Sequence, residues 1–200
     1  MIATPRIDVH MLTLEEPQEW REQCLRSLEG APITLHVLPG ILGHIGEARA
    51  QGFARGELPL VSFADPDDRY EASAFAQLAD ALDSCPQALL AYTDEAVMDV
   101  QGNAQSQRSH AYSRWQHANN ASHVHGLIVM RRDAVLLEQP MLSAMQSCQI
   151  WMLTQRLAKR GAVLHLPIVG RYWRQHPNQA HRRMGDADAE LCRRLLVAPL

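Results

Sequence analysis

The chain has 200 residues, 46% hydrophobic and 20% charged, with a formal net charge of -3. That length holds one domain with a real core, and the charge balance excludes a global basic field that would recruit nucleic acid or anionic membrane. No apolar run approaches the ~18 residues of a membrane span, and the opening MIATPRIDVHML lacks a basic start followed by a long apolar stretch, so a cytoplasmic protein is expected.

Strand-like and helix-like segments alternate through the first hundred residues. Ile7 to Leu12 reads as a strand, and Pro17 suits the first turn of a helix with Trp20, Cys24, Leu25 and Leu28 on its apolar stripe. Gly30 ends that helix. Ile33 to Leu38 is a second strand, closed by Pro39-Gly40, and a second helix carries Ile45, Ala48, Gly52 and Phe53. Leu58 to Phe63 forms a third strand that runs straight into ADPDD. Ala72, Phe75, Leu78, Ala79 and Leu82 then mark an amphipathic helix, and Ala88 to Tyr92 a fourth strand. This β-α-β-α-β-α-β order predicts an α/β fold with a mainly parallel central sheet flanked by helices.

The second half is less regular. Residues 101–122 are polar and predict a long loop or a short excursion. Val124 to Met130 reads as a strand, Ile150, Leu153 and Leu157 line a helix closed by Gly161, and Val163–Leu166 and Val169–Trp173 read as two short strands. Asp186 to Val197 predicts a terminal helix, preceded by the basic patch His181-Arg182-Arg183. The cysteines, Cys24, Cys85, Cys148 and Cys192, lie far apart with no C-x-x-C pair, so reduced thiols are expected. The whole reads as one domain over 1–200.

In open α/β sheets, ligands sit beyond the carboxyl ends of the strands. Two acidic groups fall at such ends: Asp65, Asp67 and Asp68 after the third strand, and Asp94 and Glu95 after the fourth. Three carboxylates within four residues are costly to bury without a compensating cation. Mg2+ or Mn2+ would answer that cost and keep positions for phosphate oxygens, with Asp67 the first choice of ligand. The alternative is a solvated Asp-Pro-Asp-Asp turn capping the next helix. His123 and His125 share one strand face and, with His110 or His117, form either a three-nitrogen metal site or part of a polar groove. Trp115 offers a sugar-stacking face or a core plug. Arg131-Arg132 reads equally as a charge-neutralising pair or as a solvated strand end, and Trp20 and Trp151 read as core.

Residues 47–70, EARAQGFARGELPLVSFADPDDRY, resemble the core signature of GT-A glycosyltransferases of the family 2 type. There an ARN-x-G helix leads through A-x-G-E into an apolar strand and then an acidic D-x-D motif. The match covers Ala48, Arg49, Gly52, Ala54, Gly56, Glu57, Phe63, Asp65, Asp67, Asp68 and Tyr70, and departs at Ala50, where the family has Asn. Tyr92-Thr93-Asp94, Gly126–Asp133 and Arg156-Leu157-Ala158 fit further pieces in order, and Tyr172–His176 resembles the closing Y-R-x-H element. The resemblance implies a GT-A fold over roughly residues 6–180 and a metal-dependent glycosyltransferase. That enzyme would move a sugar from a nucleoside-diphosphate donor to a hydroxyl acceptor with Mn2+ or Mg2+. The resemblance also implies a nucleotide-sugar-binding half to about residue 100 with an acceptor half after it, and puts Arg174 and His176 near the donor diphosphate. Asp67 and Asp65 are the metal candidates, Asp65 lying nearer the sugar or ribose. His176 is either a third metal ligand, a phosphate contact or a hydrogen-bonded loop histidine, and Arg49 either reaches the diphosphate, pairs with the acidic cluster or forms a helix-surface salt bridge. The acceptor is unspecified, and no sequence feature supports a nucleic acid in that role.

Two departures bear on mechanism. Val37-Leu38-Pro39-Gly40 has no acid where the family contacts the nucleotide base, and no Asp or Glu lies between Glu138 and Asp186, where the family keeps its general base. Three readings stay open: another base (Asp94, Glu95, His123 or His125, with Asp94 and His125 foremost), a retaining reaction, or a catalytically silent nucleotide-sugar-binding or interaction protein. A nucleotidyltransferase is disfavoured, because Thr13-Leu14-Glu15-Glu16-Pro17 is not a glycine-rich phosphate loop.

Overall fold

Strand β1 (Ile7–Thr13) lies between two parallel partners, β2 (Ile33–Pro39) and β3 (Leu60–Ala64), with Ile7 opposite both Ile33 and Leu60. The computed structural model describes residues 4–177 and 179. Ile7, Val9 and Met11 are fully buried, and Asp8 and His10 between them are buried too, because helices cover both faces of the sheet. Beyond β3 the order continues through β7 (Ile128–Arg131), β5 (Ala88–Met98), β8 (Ala162–Arg174) and the two-residue β4 (Arg69–Tyr70), while β6 (Ala104–Arg108) pairs with β5. β5 and β8 are parallel, whereas β7, β6 and β4 run antiparallel to their neighbours. The expected α/β sheet flanked by helices is present as a mixed sheet, and strands from both halves of the chain alternate in it.

One face is covered by α1 (Gln18–Ser27) and α3 (Ala72–Ser84), whose Cys24, Leu28, Phe75, Leu78 and Leu82 pack on Ile7, Met11, Leu60 and Ala91. The other carries α2 (Ile45–Phe53), α5 (Arg132–Leu136), α6 (Gln139–Ala144) and α7 (Gln149–Arg160), with Phe53, Val135, Leu142, Leu153 and Leu157 against Val61, Phe63, Leu90 and Tyr92. Leu60 and Val61 serve opposite faces, as the two-residue period of a strand requires. Since β2 and β3 flank β1 on opposite sides, the strand order reverses at β1, the kind of point where open sheets leave a crevice.

The structure changes several expectations. The fourth strand runs to Met98, so Asp94 and Glu95 sit inside it and are buried, not at its end. The polar stretch after it folds into β6 and the short helix α4 (Arg114–Asn119), whose first turn is capped by Ser113 Oγ accepting from the Gln116 N–H at 3.3 Å. The two last short strands are one, β8, interrupted where the register jumps from Thr93 opposite Leu166 to Asp94 opposite Val169. Pro167 lies in that interval and has no N–H to give a ladder. Arg131 and Arg132 are not a solvated strand end. Arg131 donates to the carbonyls of Ala88 and Leu82, and Arg132 is buried, ion-paired to Asp8 at 2.5 Å and donating to the carbonyls of Phe53, Arg55 and Leu58. The expected terminal helix, the His181–Arg183 patch and Cys192 lie outside the described residues. No helix among the described residues is long and apolar enough to cross a membrane.

Candidate functional site

Asp65 directly follows β3, and the chain turns so that the Asp68 N–H donates to the Asp65 carbonyl at 3.1 Å. The Tyr70 hydroxyl accepts from the Asp65 N–H at 2.8 Å and fixes the start of the turn. The three carboxylates then meet three different surroundings. Asp68 is fully buried, takes Arg171 Nε at 2.7 Å on one oxygen and the Arg174 backbone N–H at 2.8 Å on the other. Asp65, a quarter exposed at its side chain, is gripped by Arg49 and by Arg171 Nη2 at 3.1 Å. Asp67 is 24% exposed and pairs with His176 Nε2 at 2.8 Å.

The charges follow from this packing. Burial pushes the Asp68 carboxyl well above its usual range; Arg171 opposes the shift, and the neighbouring Asp67 and Asp65 add to it. Burial acts the same way on Asp65, yet the Arg49 and Arg171 charges and the Arg49 hydrogen bond outweigh it and hold that carboxyl below its usual range. Arg171 is largely withdrawn from water, but Asp68, Tyr70, Asp65 and Glu95 keep it firmly cationic. The compensation that composition alone assigned to a divalent ion is thus supplied, for Asp65 and Asp68, by two guanidinium groups. Among the described residues no group of three or more His, Cys, Asp or Glu side chains is arranged to hold a metal ion. Asp67 and His176 remain as a part-exposed oxygen-and-nitrogen pair, which fits an ion that completes its shell with diphosphate oxygens and water.

Arg174 is fully buried and its donors are used within the protein: Nε to the Asp67 carbonyl at 2.8 Å, Nη1 to the Val100 carbonyl at 2.8 Å and Nη2 to Gln23 Oε1 at 2.7 Å. It braces the acidic turn against α1 and the β5–β6 connection. Trp20, read from sequence as core, lies 4.9 Å from the His176 ring and 5.0 Å from the Arg174 guanidinium, ring centre to group. Sequence reasoning did not single out Arg171; its one signal was a lone cation in the apolar run Ile168–Trp173, a short distance before His176.

Apart from Glu95, which points to the opposite face, the second group of candidates lies on the α7 face of the sheet. Asp94 is buried, with His165 Nε2 at 2.7 Å on one oxygen and Gln107 Nε2 at 3.2 Å on the other. Glu95 faces Arg108 at 3.4 Å and Arg171 at 3.8 Å. His125 has both ring nitrogens on backbone carbonyls, those of His123 at 3.0 Å and Arg108 at 3.2 Å, and His123 Nε2 accepts the Ser113 N–H at 2.9 Å. His117 bonds Thr154 Oγ1 at 3.0 Å. These nitrogens point to separate partners, so the histidines stack as a polar cluster (His110 and His123 are 6.0 Å apart by ring centre) and do not converge on one point. Trp115 is 74% exposed on α4, and Trp151 is buried with its indole N–H on the His117 carbonyl at 2.7 Å.

Burial, with the His123 charge adding, pushes the His117 ring down to about 3 from its ordinary 6.5. The unfolded chain therefore binds more protons at this site between those values. The stability tied to neutral His117 is complete above pH 6.5 and is lost as pH falls toward 3, by at most about 1.4 kcal/mol per pH unit. His10 and His123 shift in the same direction, and Asp68 in the opposite sense. Melting temperature followed from about pH 7 to pH 4.5 should therefore fall more steeply in the wild type than in His117→Gln. Parallel curves would show that His117 is not buried neutral.

No family model matches the sequence, and no curated protein does either. Solved structures match the fold. TarS residues 1–349 from S. aureus, in complex with UDP-GlcNAc, align with a TM-score of 0.68 at 13% identity, over 96% of this chain and 65% of that one. The same TarS fragment without ligand gives 0.65 over 64% of its length, and a longer TarS structure 0.64 over 39%. The chain therefore has the fold of TarS, a GT-A-type glycosyltransferase, and spans less than two-thirds of the length of those structures.

Proposed function

We propose that this chain is a glycosyltransferase that moves a sugar from a nucleoside-diphosphate donor to a hydroxyl acceptor. The observation that carries the reading is the Asp67–His176 pair at the carboxyl end of β3, beside the strand-order reversal, in a fold shared with a protein solved with UDP-GlcNAc. Asp67 and His176 would hold Mn2+ or Mg2+, which when bound supplies positive charge to the departing diphosphate. Asp65 and Arg49 flank that point as a neutralised pair. Arg171 and Arg174 set the turn's shape: Arg174 fixes the Asp67 backbone, and Trp20 packs on the His176 ring. Trp115 on α4 is the candidate platform for an acceptor sugar. A cytoplasmic setting belongs to the same proposal.

A second reading, a nucleotide-sugar-binding protein without turnover, is favoured by one observation. Helix α7 opens on Gln149-Ile150 with no acidic residue in its first turn, where the family resemblance places the base. Incubating the protein with a panel of nucleotide sugars and Mn2+, and measuring nucleoside diphosphate released, separates the two. Transfer or slow hydrolysis of at least one donor is expected; binding without release supports the second reading, and absence of both contradicts the proposal.

A further inference from the structure

Resting on the transfer reading, we infer that His165, oriented by Asp94, is the base that takes the acceptor's proton. The other candidates are spent on the fold. Both Asp94 oxygens are engaged, by His165 and Gln107. Glu95 lies between the guanidinium groups of Arg108 and Arg171. His125 has a backbone carbonyl at each nitrogen, His123 accepts a backbone N–H, and His117 is tied to Thr154.

His165 differs from all of these. Its Nε2 faces the Asp94 carboxylate at 2.7 Å, which fixes the proton on that nitrogen and leaves the lone pair on Nδ1. Nδ1 has no hydrogen-bond partner among the described residues, and the His165 side chain, unlike His123 Nδ1, keeps some surface open to solvent. The ring is held in place by Tyr92, 4.9 Å away by ring centre, and its side chain is 11% exposed. A carboxylate that orients an imidazole whose far nitrogen is open is the arrangement that activates a hydroxyl nucleophile.

The position suits the task. Asp94 and His165 share the face of the sheet that carries Tyr92 and Val163 and that α7 covers, and the family resemblance puts the base at the start of α7. Glu95, next in the strand, points to the other face, toward Arg171. The step balances simply. The acceptor O–H gives its proton to His165 Nδ1 as its oxygen bonds the anomeric carbon. The bond from that carbon to the diphosphate oxygen breaks, its electron pair leaving with the diphosphate. The imidazolium then returns its proton to solvent.

The test uses the full chain, UDP-N-acetylglucosamine with Mn2+, and water as the acceptor, reading UDP release and, separately, donor affinity. His165→Ala and His165→Gln are expected to lose about a hundredfold or more in turnover while binding the donor as the wild type does. Added imidazole should restore part of the turnover in His165→Ala, which a purely structural role would not allow. Wild-type turnover in either variant overturns the assignment, as does a loss that imidazole does not repair in a variant that still binds donor. Donor binding without hydrolysis by the wild type also overturns it while leaving the donor site standing; a wild type that binds no nucleotide sugar removes the transfer reading itself.

Discussion

Replacing Arg171 with Met is expected to destabilise the fold by about 3–5 kcal/mol, the cost of breaking a buried ion pair from one side. Arg171 is the guanidinium that Asp65 and Asp68 share, with Glu95 behind it, and Asp68 has no exposure to water. Without it one carboxylate must be protonated or stay buried and uncompensated. For a domain of this size the loss corresponds to a fall of very roughly 6–20 °C in Tm. Urea or thermal unfolding measures it. Adding Asp68→Asn to the variant should return part of the loss, because the two side chains belong to one network. A change below about 1 kcal/mol would show that Arg171 does not hold the turn.

Asp67→Ala is expected to do the reverse: leave stability within about 1 kcal/mol and remove about a hundredfold or more of donor turnover. Asp67 is part-exposed and, among the described residues, its one side-chain partner is His176, so little of the described fold depends on its carboxylate. The backbone carbonyl that Arg174 uses survives the substitution. The two carboxylates stand next to each other in the chain. A variant series that separates them, stability following Arg171 and Asp68, activity following Asp67, would divide the turn into its bracing and binding parts. Equal losses of stability in both would merge them.

The parts of the molecule set by local pattern were legible in the sequence. The apolar stripe Phe75, Leu78, Ala79 and Leu82 specifies α3 by spacing alone, and the β/α alternation places Asp65, Asp67 and Asp68 at a strand's carboxyl end. What could not be read was who meets those acids. Arg171 reaches Asp65 across 106 residues, and no local periodicity encodes that pairing. Asp94 and Glu95 look like a strand end because charge interrupts an apolar run; in the fold the run continues, since His165, Arg108 and Arg171 arrive from other strands to receive them. Trp20 shows the same limit, because its place on an apolar stripe concealed its contact with His176. His165 carried no motif at all, and only the register that sets it opposite Tyr92 brings it to Asp94.

The most direct test of the donor site is calorimetric titration of nucleoside diphosphates and their sugars into the wild type and Asp67→Ala, with Mn2+ and again with a chelator. Binding of at least one of them in Mn2+, weakened tenfold or more by the chelator and by the substitution, is the expected result. Absence of binding for every nucleotide, or binding that neither the metal nor Asp67 affects, would contradict a metal-assisted donor site on Asp67 and His176.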